Sequence, residues 1–217
     1  MLLHSRRMTQ KSSISSPFSI IVIFSLLTLV TVSVKSSAEQ KVSRKTFELA
    51  EKYLVKGNKQ RFNELYKSLH YYPLQPYLQQ QNIIKNMRLS SAKEIDGFLT
   101  EYRGSPLDWP LRKKWLNYLD KKKQAALFLK FFKPTSNASL TCKFHLYQLQ
   151  VGVAKSIVLP KVTKLWQVGK SQPKSCDPLF KIWQDQGYRT TEVIWQRIAV
   201  SADGGKSTLL PYLIRQL

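Results

Sequence analysis

The chain has 217 residues, room for one ordinary domain or one stretch of a helical array. Hydrophobic residues make up 43% and glycines number only 8, which argues against disorder and against a many-turned β protein. The formal net charge of +22 calls for an anionic partner, and charge alone does not choose among nucleic acid, membrane surface and acidic polymer.

Residues 1–38 read as a signal peptide. Arg6, Arg7 and Lys11 form a basic start, and Phe18 to Val34 is an apolar run without charge. Ser36 and Ala38 then stand at the −3 and −1 positions of a cleavage site before Glu39. The run of 17 residues is long for a signal and short for a spanning helix, so an uncleaved anchor is the alternative. No Cys closely follows it, which excludes a lipoprotein anchor. This segment holds four basic and no acidic residues, leaving +18 over residues 39–217. The excess charge therefore belongs to an exported domain, with no membrane span after cleavage, and nucleic acid is not expected as its partner. Cys142 and Cys176 are most simply a disulfide in an oxidising compartment, with two buried thiols as the alternative.

From Glu39 onward the pattern is helical. Phe62, Leu65, Tyr66 and Leu69 share one helix face, bounded by Gly57-Asn58 before and Tyr72-Pro73 after. Ser91-Ala-Lys-Glu94 reads as a capping box opening a helix with Ile95, Phe98 and Leu99 inward, closed by Gly104. Leu111, Trp115, Tyr118 and Leu119 form the next stripe, and Leu127, Phe128, Phe131 and Phe132 another before Pro134. Further helices are expected over about 139–150, 155–168, 176–186, 190–202 and 206–216. No alternating β run appears. Short helices joined by short turns are the signature of helix-hairpin arrays, so the fold class expected is all-α, a right-handed α-superhelix or α-solenoid. No strict repeat is present, and the tetratricopeptide consensus is not met.

Two segments carry a resemblance. Tyr72-Pro73-Leu-Gln-Pro76-Tyr-Leu78 is a turn leading into a helix. Gly169-Lys170-Ser171-Gln172-Pro173-Lys-Ser-Cys176-Asp177-Pro-Leu-Phe-Lys-Ile-Trp183 is longer and more specific. Both resemble the soluble lytic murein transglycosylase family, in which an upstream Cys matches Cys142. The resemblance covers residues 39–217 and implies the N-terminal part of that family's superhelical U-domain, in the periplasm. Such enzymes cleave the MurNAc–GlcNAc β-1,4 bond of peptidoglycan to give 1,6-anhydro ends. Their acid/base is a Glu followed by Ser in a separate lysozyme-like domain. Glu39, Glu48, Glu51, Glu64, Glu94, Glu101 and Glu192 are none of them followed by Ser. No catalytic residue carries over, and the expected role is binding of glycan strands and scaffolding. Other cell-wall enzymes or a separately encoded catalytic domain are further candidate partners. The apolar Leu209, Leu210, Leu213 and Ile214 raise a different alternative, a truncated or split gene product without independent function.

The remaining signals are weaker. Asp203-Gly-Gly-Lys-Ser-Thr208 lacks the first glycine of a phosphate loop, since position 200 is Val, and reads as a helix–helix turn. Glu48 with Glu51, and Asp177 with Asp185, are paired carboxylates better read as solvated or capping charges; Asp177 suits a helix N-terminus. Arg112-Lys-Lys-Trp115, Lys121-Lys-Lys123, Lys130 and Lys133 interleave basic and aromatic residues, with Trp115 in register with core positions. His4, His70 and His145 make no metal constellation, and no cofactor is expected. Asn137-Ala-Ser139 matches a glycosylation sequon, read as chance.

Overall fold

The computed structural model describes residues 39–204 and 207–217. The signal segment and Gly205-Lys206 lie outside the described residues. Within them the chain is helical and contains no strand. It divides into two compact units, residues 39–78 and 79–217 of the described chain, with the boundary inside helix α3.

The first unit holds α1 (residues 39–56), α2 (Lys59–Ser68) and the start of α3 (Gln75–Lys85). Gly57 ends α1 with φ of 77°, a left-handed conformation that glycine adopts without steric cost. Asn58 then caps α2 by accepting a hydrogen bond from the Arg61 amide. Phe62 and Leu69 are buried against Ala50, Leu54 and Leu78, with Leu65 and Tyr66 half-buried beside them. This is the stripe that the spacing requires.

The second unit continues with α4 (Ala92–Glu101), α5 (Asp108–Lys121), α6 (Ala125–Phe131), α7 (Ala138–Gln150), α8 (Lys155–Trp166), α9 (Asp177–Asp185), α10 (Thr191–Ala202) and α11 (Leu210–Ile214). Successive helices pack on their neighbours, α5 on α6, α6 on α7, α7 on α8 and α9, α10 on α11. Two cores result. Leu111, Trp115, Leu116, Leu119, Phe128 and Phe131 anchor the first, and Leu159, Val162, Trp166, Leu179, Trp183 and Ile194 the second. α7 serves both, giving Leu140 and Tyr147 to one and Cys142 and Leu149 to the other. A helix enclosed on two sides loses its polar stripe, which is why its sequence shows no clear amphipathic face.

Two sequence expectations give way. Ser91 makes no capping bond, because it closes a 3-10 turn, Leu89–Ser91, with φ of −77° and ψ of −1°. A serine cap needs extended backbone to turn its hydroxyl onto the helix amides. The last helix also begins later than expected, at Leu210, after a 3-10 turn over Ser207–Leu209.

Candidate functional site

Trp115 is fully buried, stacked on Tyr118 and edge-on to Phe131, so it belongs to the core, as its register with Leu111 and Leu119 requires. Lys113, Lys114, Lys121, Lys122 and Lys123 are exposed around it. Arg112 is the exception in this stretch. It is buried, donates from Nε to Asp108 at 2.6 Å and from Nη1 to the Phe131 carbonyl at 2.9 Å. Burial pushes the Asp108 carboxyl up, but the Arg112 hydrogen bond and charge, the Gly104 amide and Lys133 outweigh it and hold it below the ordinary carboxylate value. An ionised carboxylate locked in this way is no general acid.

The long motif is brought together in the second unit as a braced loop between α8 and α9. Cys142 on α7 is bonded to Cys176 just before α9, across 34 residues of sequence. Beside the bridge the hydroxyls of Ser139 and Ser175 are 2.7 Å apart. Gln172 donates from its side chain to the Leu165 carbonyl at 2.6 Å. Arg197 of α10 lies 4.3 Å over the Trp166 ring and donates to the carbonyls of Val168 at 3.2 Å and Lys170 at 3.1 Å. Burial lowers the Arg197 guanidinium from its usual value, yet arginine stays charged at any pH a protein survives. Lys170, Ser171 and Pro173 are exposed and Gly169 half-buried. Asp177 opens α9 as its first residue, as a helix N-terminus favours. Trp183 is fully buried and its indole N–H donates to Thr163 at 3.0 Å.

Along α9 is a cleft of about 280 Å³ lined by Trp166, Asp177, Trp183, Asp185, Arg189 and Tyr212, among others. Tyr212 offers it an exposed ring and Asp185 is paired with Lys181 at 2.9 Å. In the first unit, Tyr72 packs on Phe47 with ring centroids 5.7 Å apart, Pro73 is exposed, and Pro76 sits in the first turn of α3, where its missing N–H costs nothing. An open cleft of about 790 Å³ there is lined by Arg44, Glu48, Glu51 and Tyr72. Glu48 is paired with Arg44 at 3.2 Å.

Arg197 escaped sequence reasoning. The available signal was its register, three residues after buried Ile194 and four before buried Ser201, which places a base on an inward face. Asn137 has a local task, since its side chain accepts from the Leu140 amide and caps α7. His145 is likewise buried and bonded to Gln148, and no group of His, Cys, Asp and Glu among the described residues could hold a metal ion. No described helix is long and apolar enough to cross a membrane.

The arrangement defines a class: an all-α array of helix hairpins, tied by one disulfide and carrying a braced basic loop. No family model matches the chain. Soluble lytic murein transglycosylases of Escherichia coli (strain K12) and Salmonella typhimurium are each 26% identical to it over 148 residues, 67% of this chain and 23% of theirs. The lytic transglycosylase Slt of Pseudomonas aeruginosa, solved as an inactive mutant, matches with a TM-score of 0.69 at 32% identity, over 79% of this chain and 28% of its own. The 70 kDa soluble lytic transglycosylase of Escherichia coli shares the fold with a TM-score of 0.70 at 22% identity, over 81% and 28%. The chain belongs to the soluble lytic murein transglycosylase family. It spans about a quarter of the length of the curated relatives it matches.

Proposed function

We propose that this chain is the N-terminal, glycan-strand-binding part of a soluble lytic murein transglycosylase's helical U-domain, acting in the periplasm after export on residues 1–38. The observation that carries the reading is the helical array it shares with the Pseudomonas aeruginosa enzyme over 79% of its length at 32% identity. The motif residues Tyr72, Pro73, Pro76 and Gly169 to Trp183 support it as parts of the scaffold. Cleavage belongs to the family's Glu-Ser site, which these 217 residues do not contain. The cleft carboxylates Glu48 and Asp185 are occupied by basic partners, which suits binding and not acid catalysis. Incubating the purified chain with isolated sacculi tests both halves. The chain is expected to pellet with the sacculi, and mass spectrometry to find no new 1,6-anhydro ends. Release of such ends overturns the non-catalytic role, and failure to pellet overturns the binding role.

A second reading is favoured by one feature. Trp195, Val200, Tyr212 and Ile214 on α10 and α11 are all exposed, Ile214 by 57%. Exposed apolar residues on two helices packed together suit a protein partner, such as a separately encoded catalytic part of the same family. Co-purification of the two from a mixture decides it.

A further inference from the structure

Two carbonyls of the segment between α8 and α9, those of Val168 and Lys170, face inward. Arg197 donates to them at 3.2 and 3.1 Å. No described peptide bond is cis. In a planar trans peptide the N–H points opposite to the C=O of the preceding residue. The amides of Gly169 and Ser171 therefore face away from Arg197, and neither donates to another backbone group among the described residues. Gly169 has no Cβ to obstruct approach.

The surroundings favour negative charge at these amides. Arg197 is 5% exposed and no carboxylate pairs with it among the described residues, so its positive field stands behind the two outward N–H groups. Lys170, Ser171 and Lys174 are exposed around them. Between Asp108 and Asp177 the sequence has fourteen basic residues and a single acid, Asp120. That acid is already taken, by Lys143 at 2.7 Å and the Tyr147 hydroxyl at 2.9 Å. Two alternate backbone amides directed at one side of a loop, with ammonium groups beside them, offer an anion-binding surface.

We propose that the loop from Gly169 to Lys174 is an oxyanion-binding site, and that its ligand is a carboxylate of the peptide stems borne by murein. The site itself is argued from geometry; the choice of carboxylate rests on the function proposed above. The Gly-Lys-Ser-Gln-Pro motif thereby gains a task. Arg197 and Gln172 shape the loop from within, and Lys170, Ser171 and Lys174 meet the ligand from without.

The test is a nitrogen-15 amide NMR titration of the purified chain at constant ionic strength. One arm uses N-acetylmuramoyl-L-alanyl-D-isoglutamine, which bears one carboxylate, a second its methyl ester, and a third inorganic phosphate. The amides of Gly169 and Ser171 are expected to shift saturably with the acid and not with the ester. A K170A/K174A double substitution, made at exposed positions, should weaken the dissociation constant about tenfold, the worth of about one charge-assisted hydrogen bond. Shifts spread evenly over all exposed lysines, no shift at the two amides, or an unchanged constant in the double variant would overturn the site. A response to phosphate alone would overturn the carboxylate assignment. Sacculus pelleting separates the two readings: a chain that pellets while its loop amides stay still loses this site and keeps its proposed function.

Discussion

Arg112 and Arg197 are both buried guanidinium groups, and they are held in different ways. Arg112 faces a carboxylate, whereas Arg197 faces two carbonyls and an indole ring. Arg197→Met leaves both loop carbonyls without a donor and should cost about 2 kcal/mol, a fall in Tm of roughly 4–8 °C for a chain of this size. Arg197→Lys should not restore it, because an ammonium cannot fork between two acceptors while stacking on Trp166. A Met variant melting with the parent would show that the loop is held by the disulfide alone. For Asp108 the sign follows from its lowered value in the folded state. Its ion pair is fully present above the unfolded value of about 3.9 and is lost as pH falls through the folded value below it. Melts from pH 6 downward should therefore show a loss in the parent that Asp108→Asn, already destabilised by about 3 kcal/mol, does not share. Parallel pH profiles for the two proteins would contradict this.

At the scale of elements, what could be read beforehand was what local chemistry decides. Gly57 and Gly104 were legible as helix stops because left-handed backbone favours glycine, and both have positive φ. The stop after α5 was not, because the residue there is Lys123, at φ of 56°. Lys123→Gly should stabilise the chain by about 1 kcal/mol, since it removes the clash that a Cβ makes in this region. Unchanged or lower thermal stability would count against that account. The capping box at Ser91 misled for the converse reason: the residue types were right, but the chain enters α4 already turning. The disulfide was legible from compartment and count, while its neighbours were not, because Ser139 and Ser175 meet only once α7 and α9 are packed. Cys142→Ala with Cys176→Ala should lower stability by about 3 kcal/mol, read from denaturant midpoints, and more than either Ser139→Ala or Ser175→Ala.

Over the whole molecule the decisive quantity is charge. The +18 carried by residues 39–217 lies largely on side chains that face water, such as Lys113, Lys121 and Lys161. Exposed charges act at long range only while salt permits, over about 10 Å at 0.1 M ionic strength and about 3 Å at 1 M. Two components of sacculus binding should therefore separate. A diffuse component, set by the lysine surface, should fall steeply with salt and weaken in a K113Q/K114Q/K121Q variant without a change in Tm, because none of the three is buried. A local component, set by the braced loop, should survive at higher salt, since hydrogen bonds from the backbone amides of Gly169 and Ser171 are not screened as a lysine field is. Pelleting measured from about 0.05 to 1 M salt for the parent, the triple variant and Arg197→Met, which removes the donor bracing the loop, should give curves that converge at high salt for the first two and stay apart for the third. If all three collapse together, charge density alone binds the wall, and the shape of the motif loop adds nothing to it.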